Sequence, residues 1–552
     1  MKSRIWTVVA LATLPLVVGF GVVPLALLFV RATDAPPGTL QESSLNALSG
    51  TLVTATGATL FAALVGGGMA LFIACTDLPG RDPLRSLFSL PLVVPPYVYA
   101  MAWIALANPA SGLLQPLAGG SLDVYGRAGL VLVLGTASIP LVLLPALSAF
   151  ASIDASLFEA ARISGSSSRR AAWDVLVPLA LPAIGGGAAL VFASSAAAFG
   201  VPYLLGTGGQ AGAEVLTTAI VRALDIGTDA SRARGALLSI LLVGSILPAL
   251  LAGGWLARSG RVLVSGKAGR PCSFSLGRAR APLGALCWVF ATCAVVLPLG
   301  TIALTSVLGT FGEGLGPDNW TLRNYSLVLG RSNVAAAVGR SVLYAAAAAT
   351  LCTFLGGAIA SARDRGRSWT ARAVGLAAEL PYAIPGTAIA VGLLLAFSRE
   401  IRVVILDTVT VSLALAGTGA LLVVAYAVKG LAIGIRNAAA GLARLDPALV
   451  EAARISGSGP WGAEARITFP LLAPARRAAF TLVLLPAFGE ITMSILLFSP
   501  DTETLGVTLF DLQSYADPPA AAVLATLLLG ATVVVMLALG LLARGRSAAR
   551  GT

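Results

Sequence analysis

Histidine is missing from all 552 residues, and charge is scarce, with Asp, Glu, Lys and Arg making up 11% of the chain against 57% hydrophobic residues. Without an imidazole there is no Ser-His-Asp or Cys-His arrangement and no histidine-bearing zinc site. Cysteine occurs five times, at Cys75, Cys272, Cys287, Cys293 and Cys352, never as a C-x-x-C pair. These positions lie mostly in or beside apolar runs and read as small apolar side chains. No G-x-x-x-x-G-K-[ST] occurs. Its nearest look-alike, Gly266-Lys267, is followed by Ala268, so nothing cradles nucleotide phosphates. The chain is expected to bind no metal or cofactor and to hydrolyse no ATP itself.

Apolar sequence is what the chain has in abundance. Its mean hydropathy of +0.89 lies outside the balance of soluble domains. Runs of roughly 20 apolar residues, the length a helix needs to cross the hydrocarbon, recur near 7–30, 47–75, 87–107, 128–150, 178–200, 235–257, 283–308, 335–362, 373–398, 411–436, 471–498 and 519–543. The pattern predicts an all-α integral membrane protein with about twelve transmembrane helices, six in each half. The first run follows Lys2 and Arg4 but is too long for a signal-peptide core and ends at no A-x-A site, so a retained helix is expected.

Orientation follows from the 37 Lys and Arg and the 25 Asp and Glu. With the N-terminus in the cytoplasm, most basic residues fall in cytoplasmic segments and acidic residues predominate outside. Both termini are then cytoplasmic. The pI of about 10.0 is read as this topology signal and not as a nucleic-acid footprint.

The chain is internally duplicated. Glu159–Ile184 reads EAARISGSSSRRAAWDVLVPLALPAI and Glu451–Arg476 reads EAARISGSGPWGAEARITFPLLAPAR, an offset of 292 with eight identical leading residues. Leu90-Pro91-Leu92-Val93-Val94-Pro95 matches Leu380-Pro381-Tyr382-Ala383-Ile384-Pro385 at 290, as Gly66-Gly67 matches Gly356-Gly357, and Phe199-Gly200 matches Phe488-Gly489 at 289. A near-constant offset over several spans predicts two parallel-oriented six-helix repeats, 1–270 and 271–552. The basic stretch between them, with Arg258, Arg261, Lys267, Arg270, Arg278 and Arg280, reads as a linker whose charges enforce topology.

The copied segments, within loops 154–184 and 446–476, fall between the fourth and fifth span of each half, on the cytoplasmic side. Asp154 and Asp446 occupy N-cap positions, Pro447 suits a first turn, and Gly165 and Gly457 stand where a helix end needs positive φ. A short helix of about ten residues is expected in each copy. Leu157, Ala160, Ala161 and Ile163, like Leu449, Ala452, Ala453 and Ile455, give it an apolar side. So short a helix is marginal alone and must pack on something. A topological spacer would tolerate change at nearly every exposed position, and so accounts poorly for two eight-residue identities.

These residues carry a resemblance. Glu159-Ala160-Ala161 with Gly165, and Glu451-Ala452-Ala453 with Gly457, resemble the EAA loop of ATP-binding-cassette importer permeases, the coupling helix that docks on an ATPase subunit. The fused layout, Trp320-Thr321-Leu322-Arg323-Asn324-Tyr325 and the two Leu-Pro-x-x-x-Pro elements are also similar to this family. The resemblance implies two copies of an ABC ATPase that consume ATP, a periplasmic or lipid-anchored substrate-binding protein, and a multi-pass location in a bacterial inner membrane. Asp154, Glu159, Ala160, Ala161, Gly165, Asp446, Glu451, Ala452, Ala453 and Gly457 would form the ATPase contacts. Phe199-Gly200-Val201-Pro202, Leu204-Leu205-Gly206 and Phe488-Gly489-Glu490 are most similar to ferric-iron permeases, with thiamine, polyamine and phosphonate permeases as near relatives.

Two acids lie within predicted spans. Glu490, in the outer third of the eleventh, either meets interfacial water or, as the resemblance implies for this span, lines the translocation path, opposite an apolar Val201 in the other half. Glu379 is expected to pair with a basic loop residue or to meet interfacial water. Asp501, Glu503, Asp511 and Asp517 make the following outer loop acidic, which suits a solvated face or a docking surface for a cationic partner. An ion-coupled secondary transporter is the rival class, since it shares the six-plus-six layout but requires embedded coupling groups.

Overall fold

The computed structural model describes residues 2–36, 39, 42–119, 122–206, 212–263, 270, 272–366, 368–398, 401–405, 409–514 and 517–548. The Gly266-Lys267-Ala268 look-alike lies outside them. Helix dominates, with one short antiparallel hairpin, Ile401–Ile405 with Val409–Leu413, where the tenth run was expected to begin. The helix of that run starts at Gly419.

Eight helices are long and apolar enough to span a membrane: Trp6–Ala32, Glu42–Cys75, Gly126–Ser152, Ser168–Ala196, Asp229–Arg258, Gly277–Thr305, Ser332–Gly366 and Gly419–Leu442. Three more runs are bent pairs, Arg81–Leu92 with Pro96–Ala107 at 106°, Trp369–Ala383 with Gly386–Phe397 at 114°, and Glu464–Leu471 with Ala473–Phe488 at 58°. By length and composition the described residues thus supply eight spans, or up to eleven if each bent pair is one span, and the twelfth expected run falls on the helix Pro518–Ala548, of which Pro518–Val534 is counted as a shorter apolar helix. Proline is the physical reason for the two sharpest bends. Pro91 and Pro381 open short 3₁₀ turns, and Pro95 and Pro385 then hold ψ at 131° and 141°, outside the helical region.

Proline also acts inside helices, in a different way. Single π-turns at Val18–Val22, Ala172–Leu176, Thr292–Val296 and Glu464–Thr468 each end two residues before a proline, namely Pro24, Pro178, Pro298 and Pro470. The wider turn absorbs the ring and its missing N–H without breaking the helix. The first and third of these show that the repeat reaches the first span of each half, at an offset of 274.

Packing does not follow the expected division at residue 270. One compact unit comprises Met1–Thr39, Ile220–Ile240 and Arg331–Asp511, and the other comprises Leu40–Ala219, Leu241–Gly330 and Leu512–Thr552. Each sequence half has therefore given up its first span. In the 331–511 unit, Trp6, Ala10 and Val17 pack into a core with Ile359, Ala360, Val374 and Ile435. In the 40–219 unit, Cys287 and Ala291 of the seventh span pack with Cys75, Leu84, Phe88 and Phe150. Small residues permit these close crossings. At Gly66 a Cβ would meet the Ile139 carbonyl oxygen at 3.0 Å, and at Gly356 it would meet the Gly434 carbonyl carbon at 2.6 Å.

Candidate functional site

Each compact unit holds one copy of the duplicated loop. The first loop helix runs Ala155–Ile163 and the second Pro447–Ile455, nine residues apiece. Asp154 caps the first by accepting from Ser156 N at 2.9 Å, and Asp446 caps the second by accepting from Ala448 N at 2.9 Å. The Ser156 amide bond holds the Asp154 carboxyl below its ordinary value. Gly165 at φ +92° and Gly457 at φ +86° end the helices, with Ser166 N on Ala161 O at 3.1 Å and Ser458 N on Ala453 O at 3.0 Å closing Schellman-type turns.

The expected apolar side faces outward. Leu157 and Ile163 are 50% and 87% exposed, and Leu449 and Ile455 match them at 48% and 88%. Glu159, Ala160, Glu451 and Ala452 are exposed as well. Inward packing falls to Phe158 and partly buried Ala161 in one copy, and to partly buried Val450 and Ala453 in the other. Each helix thus presents an uncovered strip of one glutamate among small and aliphatic side chains.

Behind the strips the two copies differ. In the 40–219 unit the linker crosses under the first loop helix: Ala155 N donates to Arg270 O at 3.0 Å, and Phe274 stacks on Phe158 with ring centroids 5.3 Å apart. Phe274 N also donates to Cys75 O at 2.9 Å, and Asp77 accepts from Leu276 N at 2.9 Å and Ser275 Oγ at 3.2 Å. The Leu276 amide bond chiefly holds the Asp77 carboxyl below its usual range. Burial pushes the Cys272 thiol up, and the nearby Glu159 charge adds to this. The linker read as a topological tether is therefore a strap that fills the space beneath the helix.

The 331–511 unit has no such strap among its described residues. Arg365 and Glu464 form an ion pair there, Arg365 Nη2 donates to Thr468 Oγ1 at 3.0 Å, and the guanidinium lies 5.4 Å from the Trp6 ring centroid. At the repeat offsets these two charges correspond to Cys75 and Ala172, both buried in the other unit's core. Under the second loop helix, where Phe158 and Phe274 would stack, lies a cavity of about 270 Å³ bordered by Trp6, Arg365, Val450, Glu451 and Arg454.

Glu490 sits at the break after Phe488 and caps the turn Ser494–Leu497. Its carboxylate accepts from Met493 N at 2.9 Å, Ser494 N at 3.1 Å and Ser494 Oγ at 3.1 Å, and Tyr426 Oη lies 2.6 Å from Ser494 Oγ. Lys429, which interacts electrostatically with Glu490, donates to the carbonyls of Tyr382, at 3.3 Å, and Ile384. One lysine and one glutamate thus satisfy backbone groups freed at two breaks, as a membrane interior demands. Sequence reasoning missed Lys429, although a lysine inside the tenth run was a visible signal. Val201 is buried in the Gly200–Gly206 helix.

Glu379 pairs with Arg363 at 2.8 Å and Arg436 at 3.3 Å, both on helices and not on a loop. In the acidic segment after Glu490, Arg340 donates to the carbonyls of Glu503, at 2.8 Å, and Asp501, at 3.0 Å. Asp517 caps the last helix through Ala520 N at 3.2 Å. Among the described residues no three His, Cys, Asp or Glu groups are arranged to hold a metal.

A duplicated, multi-span helical protein whose breaks are tied by a half-buried lysine and glutamate, and whose copies each expose a capped loop helix, is a membrane transport component. Residues 65–261 and 353–547 each match the family described as binding-protein-dependent transport system inner membrane component, and the chain belongs to that family. A Sinorhizobium fredii protein named as an ABC transporter permease is 26% identical over 89% of this chain and 86% of its own length. The ferric transport system permease protein of Actinobacillus pleuropneumoniae is 26% identical over 79% of this chain and 62% of its own length. A Salmonella typhimurium relative named for 2-aminoethylphosphonate transport is 27% identical over 48% of this chain and 96% of its own length, as expected of a single-half protein. This chain is thus an importer permease that carries the family domain twice.

Proposed function

We propose that the chain carries both halves of an ABC importer's pathway and is driven by two separate ATPase subunits, each seated on one loop helix. The observation that carries this reading is the matched pair of uncovered strips, Leu157, Glu159, Ala160 and Ile163 in one copy and Leu449, Glu451, Ala452 and Ile455 in the other. Glu159 and Glu451 make polar contacts with the ATPase, the alanines allow close approach, and Gly165 and Gly457 end the helices sharply. ATP binding closes the two ATPase subunits, which push on the helices capped by Asp154 and Asp446 and open the pathway towards a loaded, extracytoplasmic binding protein. Both termini and both loop helices lie on the cytoplasmic side, and the chain itself binds no ATP, cofactor or nucleic acid. Co-purification of the full chain with an ATPase subunit tests this, and its absence under conditions that retain the binding protein would sink it.

The cargo we assign is ferric iron, on the strength of the similarity to the ferric transport system permease over 79% of this chain. An ion that prefers oxygen ligands needs no histidine along its route. Glu490 is the pathway candidate, and its place at a helix break beside Lys429 supports a role in holding that break open or shut. Glu490→Gln is expected to slow uptake at every substrate concentration in proteoliposomes, and unchanged uptake would remove the role. A cognate binding protein that holds a phosphonate, thiamine or a polyamine and not ferric iron would overturn the cargo while leaving the transporter class intact.

A further inference from the structure

The two units treat one glycine of the repeat in opposite ways. In the 40–219 unit Gly67 is covered by Ile184, whose Cδ1 would lie 3.3 Å from a Cβ placed there. Gly357, its counterpart at offset 290, has nothing within 4 Å. The residue matching Ile184 at offset 292 is Arg476, and its guanidinium turns away to lie 3.5 Å from the centre of the Phe469 ring and to donate to the Phe469 carbonyl. An aliphatic plug has been replaced by a cation at the edge. The result is an open cavity of about 250 Å³, with Phe354, Gly357, Ala438, Leu472 and Ala479 among its walls and Trp6 and Arg476 beside it.

The charge at this site is positive. Glu464 also borders the cavity but is paired with Arg365, whereas Arg476 has no carboxylate within ion-pair distance among the described residues. An apolar slot at the rim of a membrane-spanning bundle, with a tryptophan and an unneutralised arginine at the end nearest the loop, matches the two ends of a lipid. We propose that this cavity binds one anionic phospholipid, an acyl chain lying along Gly357 and the phosphate on Arg476. Its edge includes Glu464 of the π-turn that follows the second loop helix, so the lipid packs against the segment behind that helix, in the unit that has no strap among its described residues. The site stands independently of the assigned partners and cargo.

Native mass spectrometry of the full chain, purified in detergent and titrated with phosphatidylglycerol or phosphatidylcholine, tests the proposal without any ATPase. The wild type is expected to retain phosphatidylglycerol over phosphatidylcholine by about fivefold, the factor one surface arginine supplies. Arg476→Ile, which restores the other half's residue, should erase that preference, and Arg476→Lys should keep it. Gly357→Leu places a side chain in open space and should reduce retention of both lipids. Preference surviving in Arg476→Ile, equal loss in Arg476→Lys, full retention in Gly357→Leu, or displacement by inorganic phosphate would each overturn the assignment.

Discussion

The two loop helices have the same length, the same Asp cap, the same glycine end and nearly the same exposure at four aliphatic positions, yet they are mounted by different physics. The Ala155–Ile163 helix rests on a covalent strap whose Phe274 ring stacks on Phe158. The Pro447–Ile455 helix rests over a cavity, next to an Arg365–Glu464 pair that replaces Cys75 and Ala172. The outward strip is the part a shared partner type would read, and it is duplicated. The inward side meets only its own unit, and it has diverged. Two identical motors pushing on such helices would meet a packed aromatic support on one side and a charged, partly open one on the other.

The largest expected effect breaks both helices together. Gly165→Val with Gly457→Val places β-branched side chains at positive φ in both ends, and should abolish substrate-stimulated ATP hydrolysis in the reconstituted transporter while membrane insertion persists. Equal losses from the two single variants would show that the outward strips act alike, and unequal losses would show that the mounts matter more.

Glu464→Gln separates the mounts. It leaves the half-buried Arg365 guanidinium without its carboxylate, at a cost of about 3 kcal/mol, so amide exchange should quicken across 447–455 and stay unchanged across 155–163. Phe274→Ala is the mirror test and should cost about 2 kcal/mol, because Phe274 is only partly buried. Faster exchange is then expected across 155–163 alone, and Phe274→Tyr should restore protection. If either variant loosened both helices, the claim of independent mounts would fail.

Cap removal is smaller and symmetrical: Asp154→Ala and Asp446→Ala should each cost about 1 kcal/mol of local helix stability. Acid should act weakly on the side of the strap. The lowered values of Asp77 and Asp154 mean that their contribution is complete above the ordinary carboxylate range and fades as pH falls through the lowered values, below about 4. Exchange followed across that window should show the strap region, 270–276, loosening as protons bind.

How far the sequence could be read differs by element. Asp154, Gly165 and their copies were legible because capping is decided within four or five residues. The direction of Leu157 and Ile163 was not, since an apolar strip on a short helix reads alike whether it seeks its own core or a partner. The bends at Pro91–Pro95 and Pro381–Pro385 were visible as prolines but not as sharp turns, because a proline marks a break without giving its angle. Glu490 is visible in the sequence as an intramembrane acid, whereas the part of Lys429, which bonds the carbonyls of Tyr382 and Ile384 more than 40 residues away in sequence, is set by the fold.

The sequence by itself determined the membrane environment, the duplication and the short capped helices, because hydrophobic length, repeat offset and capping are local or additive properties of the chain. Tertiary structure alone decided which unit each first span joins, that the linker Arg270–Leu276 is a strap, and that exchanging Ile184 for Arg476 opens a cavity at Gly357. Those outcomes depend on which surfaces distant segments bring into contact. Two copies with nearly the same local pattern could therefore share an outward face and still be supported in unlike ways.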